Sequence, residues 1–285
     1  IAAVPLGLSE LRSGPKVSAA GSETAAGFGT VKQIDAGVLN VGYAELGPAS
    51  GQPVILIHGW PYDIHTYSDV AQILSTKGYR VLVPYLRGTT RFLRADERRN
   101  GQPSAIAADI VAFMDALDVK TAVVGGCDWG ARTANIVAAL WPERVKAMVS
   151  VSGYLIGNQA TGKLPLPPSS ELQWWYQFYF ATERGRSGYE KYRRDFAKLI
   201  WQIASPKWRF DDATFDRSAA SFENPDHVDI VIHNYRWRLG LATAVGAFVV
   251  DHELLLALPG LGDPAVALGV VGPWLARGGP AAGHA

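Results

Sequence analysis

Cysteine is nearly absent from this chain. Cys127 is the only one in 285 residues, so no disulfide can form within it and no multi-cysteine metal site exists. Histidine is scarce as well: six occur, at 58, 65, 227, 233, 252 and 284, and no two have the spacing that grips a metal from one face of a helix. No metal or other cofactor is expected. An excess of charge of one sign is also missing. The 27 basic and 26 acidic residues leave a net charge of +1, which gives no footprint for nucleic acid or an anionic membrane surface. No apolar run approaches the ~18 residues that a membrane span requires. The arginine-rich stretch 183–198 is interrupted by Glu183, Glu190 and Asp195, and reads as a solvated helix face.

What the chain does have is alternation. Residues 1–29 are rich in Ala, Gly and Ser without a period. They read as a leader, either disordered or the remnant of an export signal, so the expected location is the cytoplasm in the first case and outside it in the second. Residues 31–34 and 38–45 alternate like a hairpin. Apolar strands are expected at 54–57, 80–84, 121–125 and 147–152, with helices at 67–77, 106–117 and 131–140 between them. Continuous apolar strands separated by helices argue a doubly wound, mostly parallel α/β sheet. Residues 30–156 form this core. Residues 157–240 break the alternation with Pro165, Pro167 and Pro168, then an aromatic cluster from Trp174 to Phe180, and read as an inserted helical cap. Residues 241–285 are an atypical remainder of the core.

The strongest chemical signal is Gly126-Cys127-Asp128-Trp129-Gly130, between an expected strand and an expected helix. It is a nucleophile elbow with aspartate where serine is usual. Small flanking residues suit a tight turn, and the helix N-terminus favours a carboxylate anion. Such a carboxylate can attack an electrophilic carbon and form an ester. The competing reading is an N-capping aspartate between packing glycines. Upstream, His58-Gly59-Trp60-Pro61 follows the strand at 54–57. His58 reads as a structural turn residue, not as a base.

The two motifs, about 70 residues apart, resemble the α/β-hydrolases that use an aspartate nucleophile, the group of epoxide hydrolases and haloalkane dehalogenases. The resemblance covers about residues 30–240 and extends to Arg87-Gly88 and Trp141-Pro142-Glu143-Arg144. It implies Asp128 as nucleophile, with the backbone amides of Trp60 and Trp129 as the oxyanion hole. Trp175-Tyr176-Gln177-Phe178-Tyr179-Phe180 and His233-Asn234-Tyr235-Arg236-Trp237 are similar to the two cap-tyrosine motifs of epoxide hydrolases. That match implies Tyr176 and Tyr235 as the pair that holds and protonates the epoxide oxygen, with Tyr179 as a substitute for the first. Aromatic packing between cap and sheet is the other reading of these tyrosines. The implied partners are a small apolar epoxide and water.

A haloalkane dehalogenase would use the same aspartate on a haloalkane, with indole N–H groups, for which Trp60 and Trp129 qualify, to hold the halide. A protein that keeps the pocket but has lost the base would bind a small ligand without reacting.

From Thr243 the chain departs from the family pattern. The family implies an acid and then a histidine in a glycine-rich loop near the end, and neither arrangement is present. His284, next to last, and Asp263, in a Gly-Leu-Gly-Asp-Pro turn, are the remaining candidates, with His252 behind them. A shifted reading frame and genuine divergence both produce such a break. Without a base, the first half-reaction would run and ester hydrolysis would be impaired, and apolar faces of the sheet would lie open.

Overall fold

The computed structural model describes residues 28–153 and 164–243. Strands β1 (Lys32–Ala36) and β2 (Leu39–Leu46) form the expected hairpin. They are followed by β3 (Pro53–Ile57), helix α1 (Ser68–Thr76), β4 (Arg80–Pro84), the two-residue β5 (Arg91–Phe92), α2 (Pro103–Ala116), β6 (Ala122–Cys127), α3 (Trp129–Leu140) and β7 (Val145–Val151). The sheet runs β1-β2-β4-β3-β6-β7, with β5 beside β2. The pairings β3–β4, β3–β6 and β6–β7 are parallel, while β1 and β2 are antiparallel additions at one edge. This is the mostly parallel α/β sheet with flanking helices that the alternation implies.

Apart from Arg80 at the start of β4, the central strands β3, β4 and β6 carry no charged side chain, because both their faces are covered. On β3, Ile55 and Ile57 face the core shared with α2 and α3, while Val54 and Leu56 face the one shared with α1. Both isoleucines are fully buried. Truncating either to alanine costs on the order of 2–5 kcal/mol. Helix α2 starts three residues earlier than its apolar spacing suggests. Proline at its first position needs no amide partner there, and Gln102 before it is extended. Strand β7 pairs with β6 on one side only among the described residues. Its side chains Val149 and Val151 are 56% and 50% exposed.

Residues 168–238 contain helices and no strand: α4 (Pro168–Gln173), α5 (Trp175–Ala181), α6 (Glu183–Ala204), α7 (Asp212–Ala219) and α8 (His227–Arg238), with a short 3-10 turn and an irregular stretch at 205–211. Thr182 caps α6 by accepting from the Gly185 amide at 2.9 Å. The outer face of α6 is charged and paired, Arg193 with Glu223, Arg194 with Asp216 and Lys198 with Asp212. Its inner face buries Tyr189, Phe196, Ala197, Ile200 and Trp201, spaced as one helical stripe. Asp63, in the loop after β3, joins this segment to the sheet domain. Its buried carboxylate accepts from the Ser218 hydroxyl at 2.7 Å and the His65 amide at 3.0 Å, with the His65 ring Nδ1 at 2.8 Å.

Candidate active site

Strand order reverses between β3 and β6: the chain steps from β3 to β4 on one side and resumes at β6 on the other. Ligand sites in open α/β sheets form beyond the carboxyl ends of strands at such a point. The loop after β3 carries His58 to Pro61, and the turn after β6 carries Asp128, so both motifs meet there.

Asp128 has φ 54° and ψ −113°, a conformation that costs a non-glycine residue of order 1–3 kcal/mol. Its side chain makes no capping bond to α3, which removes the N-cap reading. Instead Oδ1 accepts the Trp60 amide at 3.0 Å. No basic group forms an ion pair with Asp128 among the described residues. The neighbouring glycines make room for the turn. A Cβ on Gly59 would lie 2.6 Å from the Asp128 Cβ, and one on Gly130 would lie 1.8 Å from the Ile57 carbonyl oxygen. The Trp129 amide opens α3, where first-turn amides lack helical acceptors.

Tyr176 on α5 and Tyr235 on α8 roof this point. Their ring centroids lie 5.4 Å apart, and those of Trp60 and Tyr235 lie 5.2 Å apart. Tyr176 is 5.5 Å from Trp60, and Tyr235 is 5.9 Å from Trp129. Burial, then the Asp128 charge, pushes the Tyr176 hydroxyl up to about 12. Burial, then the neighbouring Tyr176, raises Tyr235 further above the usual phenol value. Both therefore keep their protons at neutral pH. Tyr179 is placed elsewhere: its hydroxyl lies against Gly188 of α6.

The indoles differ in what they can offer. The Trp60 Nε1–H donates to the Tyr189 hydroxyl at 3.1 Å. The Trp129 Nε1–H is buried without an acceptor of good geometry and lies beside the Tyr235 hydroxyl. A halide held between the two indoles would have to displace Tyr189.

Two of the four described histidines, His58 and His227, have both ring nitrogens hydrogen-bonded. His58 is buried, with Nδ1 at 3.0 Å from the Gly59 carbonyl and Nε2 accepting the Leu86 amide at 3.3 Å, a structural role as expected. His65 bonds to Asp63. His227 donates from Nδ1 to the Gly88 carbonyl at 3.0 Å and meets Tyr189 at Nε2 at 2.8 Å. His233 accepts the Gly101 amide at Nδ1 at 3.0 Å. A cavity of about 10 Å³, near the lower limit for one water, lies between Trp60, Trp129, His58, Arg87 and His227. His252, Asp263 and His284 lie outside the described residues. Among those described, no three or more His, Cys, Asp or Glu side chains cluster as metal ligands.

Sequence reasoning missed Tyr189, His227 and Asp63. The first was hidden in a helix read by its charges. The buried stripe from Tyr189 to Trp201 was the signal that could have marked it.

Comparison with known proteins agrees with this fold. The family model of the α/β-hydrolase fold matches residues 52–189. The chain is 60% identical to a candidate epoxide hydrolase of known crystal structure from Klebsiella pneumoniae, with a TM-score of 0.79 over 84% of this chain and 80% of that one. An epoxide hydrolase from Caballeronia sordidicola is 29% identical over 124 residues, 44% of this chain and 38% of the relative. A non-heme chloroperoxidase from Streptomyces lividans is 35% identical over 127 residues, 44% of each. The matched stretch thus spans less than half the length of these two curated relatives. The chain belongs to the α/β-hydrolase fold family. Within that family it is epoxide-hydrolase-like.

Proposed function

We propose that this chain opens epoxides by forming an ester on Asp128, with residues 157–240 acting as the cap over the reacting atoms. The observation that carries the proposal is the Asp128 carboxylate, released from capping, held through Oδ1 by the Trp60 amide and roofed by two protonated phenols. With Oδ1 held, Oδ2 is the oxygen that attacks a ring carbon. The carbon–oxygen bond of the epoxide breaks, and the electron pair goes to the ring oxygen. That alkoxide is a stronger base than a phenolate, so a proton moves to it from Tyr176 or Tyr235. The product is a hydroxyalkyl ester whose carbonyl oxygen is Oδ1, already on the Trp60 amide. The Trp129 amide is the second donor for the oxyanion of the hydrolytic step.

No described histidine hydrogen-bonds to Asp128, and His58 and His227 have both ring nitrogens engaged, so the first half-reaction is the part that the described residues support. Ester hydrolysis then depends on a base from residues beyond 243, with His284 and Asp263 as candidates. Otherwise it runs slowly, since a general base is worth about 10²–10⁴-fold. The dehalogenase reading is weaker, because the Trp60 indole N–H is already taken by Tyr189.

The test is intact-mass analysis after incubation with styrene oxide, beside Asp128→Asn. A gain of one epoxide on the parent alone, or turnover to diol by the parent alone, supports the proposal. No gain and no diol across several epoxides leaves a ligand-binding protein that has lost the reaction. Halide release from a chloroalkane without epoxide turnover moves the assignment to dehalogenation.

A further inference from the structure

Helix α6 grips the loop after β3 at two successive residues. Tyr189 accepts the Trp60 indole N–H at 3.1 Å, and twelve residues further along the helix Trp201 donates its own indole N–H to the Pro61 carbonyl at 2.7 Å. The Trp201 ring also stacks on Tyr62 with centroids 4.9 Å apart. The loop is held from the sheet side by the Leu86 amide on His58, and it closes on itself through the Tyr62 amide on the Gly59 carbonyl at 3.1 Å. It is therefore clamped between sheet and helix at the residue whose amide carries Asp128.

The direction of the bonds through Tyr189 follows from donor and acceptor chemistry. The Gly88 carbonyl can only accept, so the proton of His227 sits on Nδ1. Full burial keeps that imidazole neutral, which leaves a lone pair on Nε2. Tyr189, at 2.8 Å, must then donate its hydroxyl proton to Nε2. Its oxygen is left to accept from Trp60, whose indole N–H can only donate. The run Trp60 to Tyr189 to His227 to Gly88 points one way, and each bond polarises the next. Neither Tyr189 nor His227 hydrogen-bonds to Asp128. A phenylalanine at 189 would preserve the ring contacts with Trp60, Phe180 and Phe196. Only the hydroxyl links the segment to the loop in this direction.

We propose that Tyr189 and His227 are positioning residues: they anchor Trp60 and so fix the amide that aims the Asp128 carboxylate. This rests on the reading of Asp128 as the ester-forming group. The experiment follows two signals in the parent, Tyr189→Phe, His227→Phe, His227→Gln and the Tyr189→Phe/His227→Phe double variant. The first is the Trp60 indole proton in ¹H–¹⁵N spectra, assigned by its loss in Trp60→Phe. It shifts upfield in Tyr189→Phe and His227→Phe. It stays near its parent position in His227→Gln, whose side-chain carbonyl still accepts from Tyr189. The second is the rate of ester formation with styrene oxide. At saturation it falls about 10-fold in Tyr189→Phe and in His227→Phe, as a small misalignment of a reacting group predicts, with half-saturation unchanged within about twofold. His227→Gln recovers most of the rate, and the double variant is no slower than either single, because the run is already broken.

An unmoved indole resonance in Tyr189→Phe overturns the proposal. So does a moved resonance with an unchanged saturating rate, or losses that add in the double variant. If the parent forms no ester while the resonance still moves, the ester reading fails, and the positioning role falls with it, although the tether itself stands.

Discussion

The Trp60 amide and the Asp128 carboxylate, 68 residues apart in sequence, meet at 3.0 Å where β3 and β6 end side by side. The bond needs no side chain from the β3 loop, only a backbone that comes close enough. Gly59 permits that approach.

Gly59→Ala is therefore expected to reduce ester formation about 100-fold, because the new Cβ would fall 2.6 Å from that of Asp128 and the loop must retreat. The change in stability should be far smaller than the change in rate. Stopped-flow or quenched mass measurement of the adduct, beside a urea melt, checks both.

The two phenols share one task, so either can cover for the other in part. Tyr176→Phe and Tyr235→Phe are each expected to slow ester formation about 10-fold, and the double variant about 10³-fold or more. A double variant as fast as the singles would show that the hydroxyls do not protonate the leaving oxygen.

His227 makes stability depend on pH. Burial, the largest influence, holds its imidazole down to about 4, whereas in the unfolded chain it titrates near 6.5. Between those values the unfolded chain carries a proton that the folded chain lacks, so stability falls as pH drops from 6.5 to 4. This one group contributes on the order of 2–3 kcal/mol across that window. His58 and His233 are also held low by burial, so His227→Gln should flatten the slope without abolishing it. Urea unfolding at pH 7, 5.5 and 4.5 measures it.

The loop after β4 is held by a buried ion pair. Arg87 donates from Nε and Nη2 to Asp109 at 2.6 and 2.7 Å, and also bonds to Asn100. Asp109→Ala leaves the guanidinium buried without its counter-charge and is expected to cost about 3–5 kcal/mol. Replacing both, Arg87→Met with Asp109→Leu, should cost less than the single change. The comparison of urea midpoints decides it.

The sheet and both motif loops were legible in the sequence because their signals are local. A continuous apolar run such as residues 54–57 can only be buried on both faces, and glycines on either side of Asp128 mark the sharp turn. The two-residue β5 carries no period and could not be read. The ties between helical segment and loop were not legible either. Tyr189 to Trp60 spans 129 residues and Ser218 to Asp63 spans 155, and nothing near either residue announces its partner. His227 looks like any polar residue opening a helix until the fold places it under Tyr189.

The most direct measurement is peptide mapping of the styrene oxide adduct. Cys127 beside Asp128 is a second nucleophile, although burial raises its thiol and so favours the unreactive form. The account predicts a hydroxyalkyl ester on Asp128 that hydroxylamine removes and that still forms in Cys127→Ser. An adduct that resists hydroxylamine, maps to Cys127 and vanishes in Cys127→Ser would contradict it.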